Sequence, residues 1–430
     1  MIKFVYIETY GCSANQNNSE IIRGIVRQAG LDFTENPEIA DILILNTCIV
    51  KGPTENRMKG RISELSKLGK PLIVAGCMPE VRKIKGKNIF LLGINHVKEI
   101  AKLIRKISEN RYKESDFLTN NREVKLCQPK INQKKLIGIT QISEGCRGNC
   151  NFCITKLVKK DLFSYPEDKI IENINQDLKQ GCREIWITSQ DNAAYGLDSG
   201  SNLINLLKKI LEIDSKFRLR LGMMNPEHVL PILDELISCY KNEKMYKFLH
   251  IPVQSGSNSV LKRMNRKYKV EDFLNIIKRF KEEIPYITIA TDIISGYPQE
   301  TQEEHEETLE LIRKVNPDVL NLTRYWAMPG TRAAGEKQIS SKIARKRTLE
   351  IQKLHLSLSL EENKKLENQV LEVFVDEKSG TTYFSRTRNY KIVIIKTENK
   401  LLGKSIKVKI KQAFPHYFLA ESAGTGAAAS

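Results

Sequence analysis

The chain contains no apolar run approaching the roughly 18 residues that a membrane-spanning helix needs. Its opening stretch, MIKFVYIETYGC, lacks the charged region and long apolar core of a secretory leader and reads as a strand. No membrane partner is therefore expected and a cytoplasmic location is, where cysteines serve as ligands or buried residues more often than as disulfides. Negative charge is in deficit: 51 Asp and Glu stand against 69 Lys and Arg, for a net charge of +18. Such a surplus is the electrostatic footprint of a protein that meets a polyanion, nucleic acid above all. No residue stands out as a general acid or base, so no catalytic side chain is nominated. What remains is an ordinary globular composition, 41% hydrophobic and 28% charged, in a 430-residue chain long enough for about three domains.

Nine cysteines are present, and their placement is not random. In the first third, KFVYIETYGC, ADILILNTC and KPLIVAGC are β-rich apolar runs, each ending in a cysteine: Cys12, Cys48 and Cys77. The helical patterns NSEIIRGIVRQAGL and TENRMKGRISELSKLG lie between them, so an N-terminal parallel α/β unit is predicted. Ligands of such sheets sit beyond the carboxyl ends of the strands, where the three thiols would converge. A single strand-end cysteine is ordinarily a small buried hydrophobe; three obeying one rule suit a catalytic zinc or a cluster with one open iron. Cys127, Cys182 and Cys239 lack a partner at useful spacing and read as structural.

A polar, aperiodic stretch at about 108–135 marks a boundary. Beyond it come six apolar runs, KLIGITQIS, REIWITSQ, FRLRLGMM, KFLHIPVQ, YITIATDIIS and VLNLTRYWAM, alternating with amphipathic pieces such as PEDKIIENINQDLKQG, EHVLPILDELISCY and EEHEETLELIRKV. Six βα units predict a partial (β/α)6 barrel with its chemistry at the carboxyl ends of the strands. The first strand leads into EGCRGNCNFCIT, which places Cys146, Cys150 and Cys153 within eight residues. A structural zinc would ask for a fourth ligand, and a redox dithiol would leave Cys146 without a purpose. Three thiolates on a cubane cluster leave one iron open for a substrate or cofactor.

The C-x3-C-x2-C spacing at the end of the first barrel strand, with Phe152 before the last cysteine, resembles the radical S-adenosylmethionine (SAM) superfamily. Together with TYGC, NTC and AGC at the front, TSQDNAAYG, HIPVQSGSNSVLKRMNRKY, TDIISGYPQET and MPGTRA, the layout resembles the methylthiotransferase family over nearly the full chain. The resemblance implies that Cys146, Cys150 and Cys153 hold a [4Fe–4S] cluster that cleaves SAM to a 5′-deoxyadenosyl radical. It implies that Cys12, Cys48 and Cys77 hold an auxiliary [4Fe–4S] cluster carrying the sulfur to be transferred. Phe152, Gln190, Gln254, Ser255 and Asp292 fall on motifs facing the cofactor, although each polar one could equally be a satisfied residue of the barrel rim. An electron donor and a sulfur donor are further implied partners.

The last part reads as a long helix, SSKIARKRTLEIQKLHLSLSLEENKKLENQ, ending near Gln369, then five short β runs consistent with a small barrel. This resembles the family's TRAM domain, with Tyr383, Phe384, Arg386, Arg388 and Lys391 as candidate RNA contacts. The expected domains are 1–120, 135–366 and 367–422; the tail AGTGAAAS is set aside. TYGCSANQNNSE, NTCIVKGPTE, EIWITSQDNAAYG and GMMNPEHV resemble the archaeal and eukaryotic branch. That branch places a methylthio group on C2 of N6-threonylcarbamoyladenosine beside the tRNA anticodon, which implies a tRNA anticodon loop, and not DNA, as partner. After the triplet the chain reads ITKLVKKD, where relatives commonly carry an Ala-Arg-Gly after the equivalent stretch; Lys159 and Lys160 keep the positive charge, and an altered substrate grip, not lost cleavage, is expected. Two alternatives stay open: a ribosomal-protein aspartate methylthiotransferase, and a non-catalytic iron–sulfur or zinc RNA-binding protein.

Overall fold

The computed structural model describes residues 2–50, 52–119 and 121–422; the tail AGTGAAAS lies outside the described residues. Strands β1 (Phe4–Thr9), β2 (Asp32–Phe33), β3 (Ile42–Thr47), β4 (Leu72–Gly76) and β5 (Ile89–Gly93) form one parallel sheet in the order β2-β1-β3-β4-β5. β3 and β4 are buried along their whole length, which is why they read as unbroken Leu, Ile and Val runs and not as an alternation. Helices α1 (Ser13–Gln28) and α3 (Ile100–Ser108) pack on one face and α2 (Gly52–Ser66) on the other. Chain order reverses between β1 and β3, so the crevice beyond their carboxyl ends is where a sheet of this order takes a ligand. The sheet is wider than the three strands read from the sequence: β2 and β5 carry no cysteine to flag them.

Between α3 and the second unit the backbone makes only a short 3-10 turn at Glu114–Asp116, yet Phe117 and Lys125 are fully buried. Strand β6 (Ile137–Gln141) then runs into a small antiparallel pair, β7 (Ser143–Glu144) with β8 (Phe163–Ser164). That pair brackets the cysteine triplet and helix α4 (Ile154–Lys159). The remaining units are α5 (Glu167–Lys179), β9 (Glu184–Thr188), α6 (Leu203–Glu212), β10 (Arg218–Leu221), α7 (Pro226–Val229), α8 (Leu233–Lys241), β11 (Phe248–His250), α9 (Asn258–Arg263), α10 (Val270–Glu283), β12 (Thr288–Ser295), α11 (Gln302–Val315) and β13 (Val319–Arg324). β6-β9-β10 and β11-β12-β13 are parallel half-sheets joined by a bridge from Leu219 to Met245, which makes the six-stranded open barrel expected. EHVLPILDELISCY is not one helix. Pro231 has no N–H to donate, and the segment breaks into α7, a 3-10 turn and α8. Met328 and the Ile154 and Val158 side chains of α4 enter the core beneath α2, so the first two units share apolar packing.

Helix α12 (Ser341–Lys364), capped where Ile343 N donates to Ser340 Oγ at 3.2 Å, stops ahead of Gln369. β14 (Val370–Ser379), β15 (Thr382–Thr387), β16 (Ile392–Lys396), β17 (Ser405–Ala413) and β18 (Phe418–Ser422) close a barrel in the order β14-β15-β16-β18-β17. It docks at the amino ends of the central strands. The Tyr390 ring lies 4.7 Å from Tyr246 and 5.0 Å from Phe248, and Lys391 Nζ donates to Asp318 Oδ1 at 2.7 Å. The opposite mouth, at the carboxyl ends, stays uncovered by this barrel.

Candidate active site

The ends of β1, β3 and β4 are tied by a buried polar net that brings Cys12, Cys48 and Cys77 to one crevice. Asn15 Nδ2 donates to the carbonyls of Tyr10 and Thr47 at 2.9 and 2.8 Å. Asn46 Nδ2 donates back to the carbonyl of Asn15, and Thr47 Oγ1 to that of Ala75. This explains why α1 opens on Asn and Ser residues that lie inside: they hold neighbouring strand ends in register. Cys12 caps α1 and is exposed, while Cys48 and Cys77 are buried. Burial, and the nearby Cys12 and Cys48, push the Cys77 thiol up to about 12 against the pull of Lys159.

The second triplet lies in the loop between β7 and α4. Gly148 N donates to Cys146 Sγ at 3.2 Å, and Arg266 Nη1 donates to Cys150 Sγ at 3.1 Å. Arg266 is held in turn by Asn225 Oδ1 at 2.8 Å and lies over the Tyr268 ring. Asn151 anchors the loop, donating from Nδ2 to the Arg263 carbonyl and accepting from Ala333 N through its own carbonyl. Phe152 packs edge-on to Tyr297, which meets Tyr325 beyond β13.

The two triplets are linked by a cluster of charges the sequence reading missed. Glu144 Oε1 accepts from Lys125 Nζ at 2.7 Å and from Lys159 Nζ at 2.6 Å, and all three side chains are almost completely buried. Burial depresses Lys159, but Glu144 and then Cys77 outweigh it and hold the ammonium well above its ordinary value. Burial drags Lys125 down to about 8, opposed by Glu144. Two buried cations answer one carboxylate here, and the excess positive charge faces the first triplet. Lys159 is therefore not a surface grip for substrate, as its place in ITKLVKKD suggested; its ammonium is committed to Glu144. Lys160 is exposed and sits at φ 61, ψ −145, a conformation that glycine adopts freely, and its carbonyl accepts the Cys146 N–H at 3.3 Å.

The nominated rim residues divide. Gln190 has a buried Oε1 without a hydrogen-bond partner, as expected of a group aimed at something absent from the chain itself. Asp292 faces the barrel interior, its carboxylate 3.2 Å from His250 Nε2. Gln254 takes a left-handed φ of 74, its N–H bonded to the Asp292 carbonyl, so its backbone is part of the strand-end scaffold. Ser255 is a correction: it is buried against α11, its hydroxyl 3.4 Å from Thr308 Oγ1 and accepting from Ser257 N, and it does not face the mouth. Asp191, beside Gln190, was not nominated; it accepts from Ala193 N, Asn225 N and His228 Nδ1, the last at 2.6 Å.

The candidate RNA contacts fare less well. Tyr383 is 1% exposed in the core of the C-terminal barrel and cannot stack on a base. Arg386 donates to Asp376 and lies over Tyr390 within the small barrel, and Lys391 is bonded to Asp318 and Asn363 and so fastens that barrel to the central unit. Arg388 is exposed and Phe384 half-buried.

These donor sets fit iron–sulfur clusters. A Cβ placed on Gly148 would lie 3.3 Å from Cys146 Sγ and 3.8 Å from Cys150 Sγ, so that glycine leaves a hollow over the sulfurs. N–H and guanidinium donors aimed at sulfur favour thiolates, as cluster ligation requires. Among the described residues no three His, Cys, Asp or Glu side chains converge on a single metal ion, whereas thiolates of a cubane sit on separate irons.

Comparison with known proteins agrees with this geometry. Residues 140–312 match the Radical SAM superfamily and residues 4–91 the Uncharacterized protein family UPF0004. A probable threonylcarbamoyladenosine tRNA methylthiotransferase from Pyrococcus horikoshii is 38% identical, covering 98% of this chain and 99% of that protein. The threonylcarbamoyladenosine tRNA methylthiotransferase of Homo sapiens is 33% identical over 97% of this chain and 73% of its own. Among solved structures, the radical SAM methyltransferase TsrM from Kitasatospora setae aligns with a TM-score of 0.55 at 13% identity, covering 77% of each chain, a likeness of fold alone.

Proposed function

Because this chain belongs to the threonylcarbamoyladenosine tRNA methylthiotransferase family, we propose that it converts N6-threonylcarbamoyladenosine beside the tRNA anticodon to its 2-methylthio derivative. The observation that carries the reading is the pair of cysteine triplets at two facing strand-end crevices, joined through Glu144 and Lys159. Cys146, Cys150 and Cys153 would hold the SAM-cleaving [4Fe–4S] cluster, and Cys12, Cys48 and Cys77 the auxiliary one. When bound, the clusters and SAM supply reductive cleavage of the sulfonium and a sulfur to transfer, chemistry beyond any side-chain base.

The chain's own residues orient and exclude. Arg266 and Gly148 fix two of the SAM-side thiolates, and Lys159 sets positive charge beside the auxiliary thiolates. Gln190 and Asp292 are the rim groups best placed to meet SAM, one by its unpartnered buried oxygen and one by its position in the barrel interior. A single-stranded anticodon base can be splayed into the uncovered mouth. We divide the work among 1–120 for the auxiliary cluster, 135–366 for SAM chemistry and 367–422 for the small barrel. An electron donor and a sulfur donor complete the reaction.

The test is anaerobically reconstituted protein with SAM, a reductant and threonylcarbamoylated tRNA, followed by mass spectrometry of the nucleosides. A gain of one methylthio group, lost with Cys146→Ala or Cys12→Ala while the other cluster's iron is retained, is expected. SAM cleavage without any gain on tRNA would overturn the substrate and turn attention to a ribosomal-protein aspartate.

A further inference from the structure

Trp326 follows β13 at the barrel mouth and is 44% exposed, although tryptophan is rare in this chain and ordinarily buried. One side of its indole is covered by Gly52, the first residue of α2, shortly after Cys48. A Cβ at that glycine would lie 2.3–2.4 Å from three indole carbons, so only glycine permits the contact. The ring is thus covered in part by the first unit, while the rest of it opens onto a cleft.

Around it the surface is basic. Arg324 and Arg345 line the same cleft of about 280 Å³ as Trp326, and Lys342 continues the line on α12. All three are exposed, and among the described residues none of them makes an ion pair, unlike Lys125, Lys159 and Lys391 elsewhere in the molecule. Cations left without a carboxylate beside a flat, half-covered aromatic are what a single-stranded nucleic acid needs: phosphates for the arginines and a base face for the indole. Trp326 is also adjacent to Tyr325, which reaches Phe152 of the cysteine loop through Tyr297.

We propose that Trp326, with Arg324 and Arg345, is a base-stacking and phosphate-holding platform for the substrate RNA strand at the edge of the mouth. It receives a nucleotide flanking the one modified, and it does work that Tyr383, Arg386 and Lys391 of the small barrel cannot do. The inference rests on RNA being the substrate.

The test measures the affinity of the reconstituted holoenzyme for an anticodon stem-loop RNA, with direct ultraviolet cross-linking and peptide mapping. Wild type should bind, and its cross-linked peptide should contain Trp326. Trp326→Ala should weaken binding by about 5- to 100-fold, and Trp326→Phe should restore most of it, with iron content and melting temperature checking that each variant is folded. Arg324→Gln combined with Arg345→Gln should flatten the dependence of log Kd on log salt by about 1.4, two phosphate contacts on a single strand. Wild-type binding that Trp326→Ala leaves unchanged, or cross-links confined to residues 370–422, would overturn the platform and leave the substrate reading intact. Failure of wild type to bind RNA would overturn the substrate reading itself. Competition by polyglutamate in place of RNA would assign the face to an acidic peptide and overturn the RNA reading of it.

Discussion

Replacing Lys160 by glycine should make the protein more stable. The residue holds φ 61 and ψ −145 because its carbonyl must accept the N–H of Cys146 while its own N–H closes α4 on Lys156 at 3.0 Å. A side chain in this region costs about 1–3 kcal/mol, which glycine avoids. Glycine in turn loses about 0.5–1 kcal/mol more backbone entropy on folding. The lysine side chain is exposed and makes no hydrogen bond or ion pair among the described residues, so its removal costs little. The balance is about 1 kcal/mol in favour of glycine, or about 2–4 °C in the melting temperature of a unit this size. Thermal unfolding of the reconstituted enzyme, followed by the cluster absorbance and by circular dichroism, measures it. Lys160→Ala keeps the Cβ and the strain, so it should gain nothing. An equal gain from alanine would show that the side chain and not the backbone was responsible, and a loss with glycine would refute the strain argument outright. Lys160, in the stretch where an Ala-Arg-Gly is missing, is thus a strained backbone position beneath the cluster loop.

Lys159→Met leaves Glu144 paired with Lys125 and should cost well under the roughly 3–5 kcal/mol of a fully broken buried pair, while reconstituted iron should fall from about eight towards about four per chain as the auxiliary site loses its facing cation, with Lys159→Arg loading normally. Arg266→Ala removes a charge-assisted donor to Cys150 and should lower the potential of the SAM-side cluster by on the order of 60 mV, equivalent to ~1.4 kcal/mol per electron, in a redox titration monitored by electron paramagnetic resonance. At the docking face of the small barrel, burial and then Glu184 push the Asp376 carboxyl up to about 7. The folded state then binds the proton more tightly than the unfolded one, so stability should fall as pH rises from about 4 to about 7, and denaturant midpoints for Asp376→Asn should lose that slope.

Much of the architecture was legible because it is local. Strand runs, intervening helices and cysteines immediately after strands are properties of short windows, and they place β1, β3, β4 and the six barrel strands correctly. The C-terminal barrel obeys a local rule of the same kind. In an alternating strand Tyr383 and Phe384 must point to opposite faces, so both could not serve a surface, and the structure turns Tyr383 inward together with Ser385 and Thr387. Ser255 was misplaced for a similar reason: the motif located its backbone but not the direction of its hydroxyl.

The sequence by itself determined where the two cysteine triplets stand relative to the strands, because thiol spacing and strand-end position survive as patterns along the chain. Only the tertiary structure decided how their charge is managed. Arg266 reaches Cys150 from 116 residues away, Lys125 and Lys159 meet on Glu144, and Gly52 meets Trp326 across two units. Such pairings leave no periodicity to read. They exist because packing removes water from those groups, and a buried charge must then find its counter-charge wherever the fold brings one near.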